Sequence, residues 1–361
     1  MLKNKKTLLL LAVIIIAAAV FAAVMLTRDG KEAQAPSADS SETPPLEQTF
    51  YIYDTVVNIR LNGDKAAQEH MDHIGQILET IDRQISRTEA DGEVYAVNQA
   101  AGKKAVTVSE DTLEIVKLSV KYAEDMDGLF DPSIGPLVDL WKIGEGGERV
   151  PAQADIDAAV KLTNYKDIVI DEANKTVMLK REGMVLDLGG IGKGYAADKI
   201  AEYLKSEGID SAMINLGGSS IIGLGTKPGG VKWNIGLQDP DKSRGTQLGT
   251  IQIADEVIDA SGVYERFFMQ DGVRYHHILD PHTGFPAQNG LKSITIMSPN
   301  ATDADALSTG VFLMGLEKGM KYIESLDNVE AFFITEDNKI YATSGIRERL
   351  NLTDPEYDFA D

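Results

Sequence analysis

Apolar positions recur along this chain with two different periods. From Phe50 to Leu61 the run is rich in Tyr, Val and Ile, which predicts a strand. Met71, Ile74, Leu78, Ile81 and Ile85 then follow at spacings of three and four, the apolar face of a helix. Ser109 is a good N-cap for a second helix, with Glu110 and Asp111 in its first turn, that ends at Gly128. Residues 168–170 and 177–180 predict a hairpin, residues 185–188 a short buried strand, and 195–205 a helix leading to a strand at 212–215. Later segments alternate as strands at 233–237, 250–253, 293–297 and 330–334. Residues 303–314 and 316–325 read as helices. The Gly- and Pro-punctuated stretch from Gly128 to Trp141 reads as an ordered loop. Strands and helices mix without a strict βαβ rhythm, so the expected class is α+β. With no repeat and no second low-complexity linker, residues 48–361 are expected to form one compact catalytic domain with two lobes.

The first residues follow neither period. Lys3, Lys5 and Lys6 precede an uncharged, mainly apolar run from Thr7 to Thr27, long enough to span a bilayer. The lysines set its N-terminus on the cytoplasmic side. Ala33-Gln34-Ala35 offers the rival reading of a cleaved signal peptide. The length of the run and the nearby Arg28 favour an uncleaved anchor over residues 1–27. Residues 28–47, rich in Ala, Pro, Ser and acids, read as a disordered tether. On either reading the catalytic part lies outside the cytoplasm, and the uncleaved anchor makes it a single-pass membrane protein.

Composition narrows the chemistry. The 361 residues carry a formal net charge of −21, which disfavours nucleic acid and anionic lipid as partners. The absence of Cys excludes disulfides, thiolate metal sites and a thiol nucleophile. A polyanionic substrate would need a local cation or backbone donors.

Leu186-Asp187-Leu188-Gly189-Gly190-Ile191-Gly192-Lys193-Gly194-Tyr195 supplies both, running from a predicted strand through glycines into a helix. It matches neither a Walker A loop nor the dinucleotide fingerprint. Alone, it is equally a tight strand–helix turn with a solvated Lys. The stretch from Arg274 to Gly284 holds three of the five histidines, candidates for general acid or base work. His70 and His73 are expected to be exposed and structural. On the predicted helix from Asp303, Asp305 and Thr309 lie one turn apart, a hard-oxygen pair suited to Mg²⁺. Asp303 capping and a buried Thr309 are the competing explanation.

These stretches, in this order, resemble the FAD:protein FMN transferase (ApbE) family over about 300 residues. The resemblance rests on Gly128-Leu-Phe-Asp-Pro-Ser-Ile-Gly-Pro-Leu-Val, the glycine segment, Asn215-Leu-Gly-Gly, Tyr275-His-His-Ile-Leu-Asp-Pro-His-Thr-Gly and Ala304-Asp-Ala-Leu-Ser-Thr. Ser261-Gly ahead of Tyr264-Glu265-Arg266 looks like a further landmark. It implies Mg²⁺ on Asp305, Thr309 and the carbonyl of Gly192. It implies an FAD site lined by Leu129, Phe130, Asp131, Gly189, Tyr195 and Leu279. His277 would be the catalytic histidine and Lys193 would lie by the phosphates. The reaction implied is transfer of FMN from FAD to a Thr or Ser of another protein, with release of AMP. An FAD pyrophosphatase and a noncatalytic FAD-binding protein are the alternatives. This chain departs from many members at Tyr53-Asp54-Thr55, at Thr88, and at Gly192, where Ala is common.

Overall fold

In the computed structural model, which describes residues 43–360, the run read as one strand at 50–61 is a hairpin. Strands β1 (Leu46–Ile52) and β2 (Thr55–Leu61) are joined by Tyr53 and Asp54, both at positive φ (55° and 52°). A two-residue turn that matches strand twist needs positive φ at both central positions. The Tyr53 hydroxyl donates to the Leu78 carbonyl at 3.1 Å and ties the turn to the following helix. The first described strand begins at Leu46, two residues before the expected start of folding at Gln48. The expected anchor, and the tether as far as residue 42, lie outside the described residues. Among the described residues no helix is long and apolar enough to cross a membrane.

β1 and β2 open a nine-stranded sheet continued by β3 (Ala212–Leu216), β4 (Ser220–Leu224), β5 (Glu256–Gly262), β6 (Leu291–Ser298), β7 (Glu330–Thr335), β8 (Lys339–Ala342) and β9 (Asp358–Phe359). Spatial order follows chain order. Every neighbouring pair is antiparallel except β8 with β9. The α+β expectation holds, and residues 43–360 belong to one compact unit.

The helices are α1 (Gln68–Ile85), α2 (Glu93–Gln99), α3 (Glu110–Asp125), α4 (Gly135–Trp141), α5 (Gln153–Leu162), α6 (Gly192–Ser206), α7 (Ala301–Met314) and α8 (Leu316–Ile323). α1 buries the predicted stripe of Met71, Ile74, Leu78 and Ile81 against one face of the sheet, in a cluster with Ile59, Ile214, Ile294 and Ile296. Each such side chain stabilises the fold by about 1.5–3 kcal/mol when fully buried. The other face is covered by a three-stranded sheet, Trp233–Gln238, Gln247–Ile253 and Leu350–Leu352. There Trp233, Ile235 and Ile251 meet Ile258, Met297 and Phe332. A cavity of about 380 Å³ lies on this second face, lined in part by Gly236, Ser293 and Thr295. Because successive strand residues face opposite ways, Val257, Asp259 and Ser261 of β5 look toward the helices while Ile258 looks toward the small sheet.

Four expectations change. Gly135-Pro136 opens α4, since Pro is tolerated in a helix's first turn, so only residues 128–134 are loop. Residues 185–188 form no strand: Val185 makes a single bridge to Ile134, and the Asp187 amide donates to the Pro132 carbonyl at 2.7 Å. α6 begins three residues early, at Gly192. His70, expected to be exposed, is buried and hydrogen-bonded to the Tyr203 hydroxyl at 2.9 Å.

Candidate active site

α6 and α7 hold each other by exchanged carboxylates. Asp198 of α6 accepts from the Ala301 amide (2.9 Å) and from the Thr302 amide (2.8 Å) and hydroxyl (2.6 Å), meeting the free donors at the start of α7. Asp305 of α7 in turn accepts from the Gly194 amide at 2.9 Å. The approach requires glycine, because a Cβ on Gly194 would sit 2.2 Å from the Ala301 carbonyl oxygen. Asp305 is 3% exposed, and its second carboxylate oxygen lies 3.4 Å from the Lys193 ammonium. Burial works against the Lys193 charge, but Asp305 and Asp259 outweigh it and hold the ammonium above its ordinary range. Thr309, one turn beyond Asp305, is partly exposed, and its hydroxyl has no hydrogen-bond partner among the described residues.

Asp259 was not visible as a site residue. It is 1% exposed, and burial, with Asp305 nearby, pushes its carboxyl well above the usual range. Its register partner on β4 is Ser220, and both Asp259 Oδ2 and Ser220 Oγ are buried without a hydrogen-bond partner. Its only signal in the sequence is a carboxylate in the apolar run Val257-Ile258-Asp259-Ala260. Ser261 Oγ meets Ser308 Oγ of α7 at 2.9 Å beside it.

The two adjacent histidines do different things. His276 is 2% exposed; its Nε2 donates to the Ala287 carbonyl (2.8 Å) and its Nδ1 accepts from the Ile278 amide (3.3 Å). Both nitrogens are thus engaged. His277 Nδ1 donates to the Arg266 carbonyl at 3.3 Å, which leaves Nε2 with its lone pair free. The His277 residue is exposed by area, yet crowding by protein, followed by the charges of Arg266, His276 and Lys193, pulls its pKa down to about 4. The ring is therefore neutral near pH 7. His282 is exposed, 3.8 Å from Asp280.

The flavin-lining set is only partly brought together. Phe130 is 5% exposed and packs on Gly190, Gly310 and the edge of Tyr122. Leu129 is half-buried beside it. Gly189 is exposed, its amide donating to Asp187 Oδ1 at 2.8 Å. Arg87, unremarked in the sequence, pairs with Asp187 and Asp139, each at 3.0 Å, and steadies this turn. The Asp131 carboxylate is used within the chain, accepting from the Ser133 amide and hydroxyl and from the Tyr165 amide (2.8, 2.6 and 3.0 Å). Leu279 is buried in a separate cluster with Leu137, Trp141 and Ile156. Tyr195 is a correction. A helix sets residues two apart on nearly opposite sides. While Lys193 faces Asp305, the Tyr195 hydroxyl donates to Asp111 and Glu114, both at 2.8 Å, and the residue is 3% exposed.

The glycines also separate. Gly190 lies beside Thr309, whose Oγ1 is 3.6 Å from where a Gly190 Cβ would stand, and Gly192 faces Ile85 from within the first turn of α6. Hard oxygens on Asp305 and Thr309, together with a carbonyl from this turn, are a donor set that fits Mg²⁺. Among the described residues no cluster of three or more His, Cys, Asp or Glu side chains could hold a metal ion. A cation, a neutral imidazole and open oxygen donors in one place can stabilise a phosphate and accept a proton from a hydroxyl.

A sequence model described as the ApbE family matches residues 53–333. A FAD:protein FMN transferase of Klebsiella pneumoniae is 37% identical over 286 residues, 79% of this chain and 88% of that protein. One of Treponema pallidum is 34% identical over 322 residues, 85% of this chain and 89% of the relative. The crystal structure of the ApbE protein from Thermotoga maritima superposes with a TM-score of 0.77 at 33% identity, covering 85% of this chain and 99% of its own. The flavin transferase ApbE from Vibrio cholerae gives 0.76 at 31% identity over the same shares. By sequence and by fold, this chain is an enzyme of the ApbE family.

Proposed function

We propose that this enzyme transfers FMN from FAD to a Thr or Ser hydroxyl of an acceptor protein and releases AMP. The observation that carries the reading is the free Nε2 of a neutral His277 whose ring feels the charge of Lys193, itself paired with Asp305. In the proposed reaction the acceptor hydroxyl gives its proton to His277 Nε2. Its oxygen bonds to the FMN-side phosphorus as the pyrophosphate P–O bond breaks, and AMP leaves with the electron pair. Lys193 stays charged beside the phosphates, and the Gly189–Gly190 turn offers backbone close to them. Asp305 and Thr309 would hold Mg²⁺, with Gly190 better placed than Gly192 to offer a carbonyl; when bound, the ion would neutralise pyrophosphate charge. Phe130 and Leu129 support the flavin side; any contact from position 131 would come from its backbone.

The lysines and apolar run before residue 28 support a membrane-anchored enzyme facing out of the cytoplasm, with redox proteins there as acceptors. The test of the anchor is fractionation of full-length protein. Release by salt or alkali without detergent would contradict it.

The test of the reaction is Asp305→Ala. Transfer should be abolished at ordinary Mg²⁺, with FAD affinity affected less than rate. Full transfer by this variant, or by the wild type in excess EDTA, would sink the metal-assisted reading.

A further inference from the structure

Two of the segments that carry the family resemblance, Asn215-Leu-Gly-Gly and Tyr264-Glu265, contribute no group to the site around Lys193 and His277. Asn215 and Gly218 of the one, and Tyr264 and Glu265 of the other, line the cavity of about 380 Å³ on the second face of the sheet. The floor of this cleft is the sheet itself. Ala260 of β5 and Thr295 of β6 are register partners there, with Ser293 two residues along the same strand. Ser293 and Thr295 are 3% and 5% exposed, and neither hydroxyl has a hydrogen-bond partner among the described residues. An unpartnered buried hydroxyl costs free energy that a bound partner would recover. The wall of the cleft is residues 234–237. They belong to the outer strand of the small sheet, which pairs along one edge only, with Gln247–Ile253. Beyond that pairing, residues 234–237 make no main-chain hydrogen bond among the described residues.

A free strand edge offers N–H and C=O groups at the spacing of another extended main chain, which selects a polypeptide over a compact small molecule. We propose that this cleft takes an extended segment of the acceptor polypeptide, added as a strand along residues 234–237, a few residues from the Thr or Ser that receives FMN. The inference rests on the transferase reading. Two short stretches of chain lead from the cleft round the end of the sheet to the site. Ser219 lines the cleft, and its carbonyl accepts from the Ala260 amide at 3.0 Å; the next residue, Ser220, is the register partner of Asp259 on the helix-facing side. Tyr264 and Glu265 line the cleft, and the next residue, Arg266, offers the carbonyl that accepts from the His277 amide (3.1 Å) and ring (3.3 Å). From one layer flanking a sheet to the other is a step of roughly 10–20 Å, about three to six extended residues. A segment seated in the cleft can therefore deliver a hydroxyl farther along its chain to His277 Nε2. The FAD phosphates keep the Lys193 and Asp305 side.

The test is steady-state FMN transfer by Ala260→Leu and Thr295→Val, with FAD and acceptor varied separately and amide hydrogen exchange measured in parallel. The acceptor is a soluble flavin-carrying domain of a membrane redox complex, selected because the wild-type enzyme labels it. Ala260→Leu adds three carbons to the floor of the cleft. It should raise the acceptor KM about tenfold, with the FAD KM and the kcat at saturating acceptor within about twofold of wild type. Thr295→Val removes only the free hydroxyl, keeps the shape of the floor, and should raise the same parameter by about threefold, the size of one neutral hydrogen bond. It carries the decision should Ala260→Leu fail to fold. Acceptor should slow exchange of the amides of residues 234–237 in the wild type, and FAD alone should not. An acceptor KM unchanged in both folded variants, or unprotected amides at 234–237, overturns the assignment of the cleft alone. So does a rise in the FAD KM without one for the acceptor, or a loss of self-association by Ala260→Leu with acceptor kinetics unchanged. If the wild type labels no hydroxyl of any such domain, the transferase reading fails and takes this inference with it.

Discussion

His276 spends both ring nitrogens on neighbouring backbone groups, whereas His277 spends one and keeps one. His276→Ala would leave the partly buried Ala287 carbonyl and the buried Ile278 amide without these partners and should cost about 1–3 kcal/mol of stability. Its transfer rate should stay close to wild type below the lowered Tm. His277→Ala should keep the Tm and FAD affinity and lose roughly 10²–10⁴-fold in transfer. A folded, fully active His277→Ala would show that the base is another group. The pH dependence follows from the same ring. With its pKa drawn down toward about 4 from the ordinary 6.5, folded His277 stays unprotonated as pH falls through 6.5 while the unfolded chain takes up a proton. Stability from this group is thus complete above 6.5 and is lost progressively between 6.5 and 4, and the free base persists through that window. The acid limb of kcat/KM for transfer should fall below 6.5, and a limb at or above it would contradict the environment described. The contrast between the two histidines was legible in the sequence from strand alternation. Tyr195 was misread because a motif sets it two residues from Lys193, whereas the helix sets it on the far side. Asp259 could not be found without knowing that β4 and β5 are neighbours and which face of β5 meets α7.

α6 and α7 approach closely at Gly194, beneath the carboxylates of Asp198 and Asp305 that tie them together. Gly194→Ala would push a methyl group into the Ala301 carbonyl, a backbone atom that can yield only if the helices part. The cost should be about 1–3 kcal/mol, as for other overpacked interiors, with transfer falling because Asp305 loses the Gly194 amide. Gly192→Ala meets only the end of the Ile85 side chain, which can turn aside, so its Tm should change by much less. Thermal melts of the two variants check this, and equal losses would mean the contact is misjudged. Periodicity made α1 legible, because it repeats one apolar face over several turns, and the Ser109 cap made the start of α3 legible, whereas α7 is buried on nearly every side. The β1–β2 turn was missed since Tyr53-Asp54 lacks the Asn-Gly signature of a tight hairpin. α4 was missed because Gly135-Pro136 was taken as a break when it is a helix start.

The nine-stranded sheet places β5 between β4 and β6, with α6 and α7 packed over its helix-facing side, so the candidate site depends on the whole sheet rather than on a detachable lobe. Strand order was not legible in the sequence, because β2 pairs with β3 across about 150 residues of intervening chain, and periodicity carries no information at that separation. A protein truncated to start at Thr43 keeps β1 and the Thr43 hydroxyl bond to Asp64, and should be soluble, folded and as active as the full chain. Loss of cooperative unfolding on that truncation would show that residues 1–42 complete the fold. The most direct measurement of the central claim is incubation with FAD, Mg²⁺ and a flavin-accepting protein, reading covalent flavin fluorescence on the denatured acceptor and AMP in the same sample. The account predicts one AMP released for each FMN bound to an acceptor Thr or Ser, and neither product with the hydroxyl removed. AMP appearing with free FMN and no labelled acceptor would make the enzyme a pyrophosphatase, and intact FAD would make it a binding protein; either result contradicts the account.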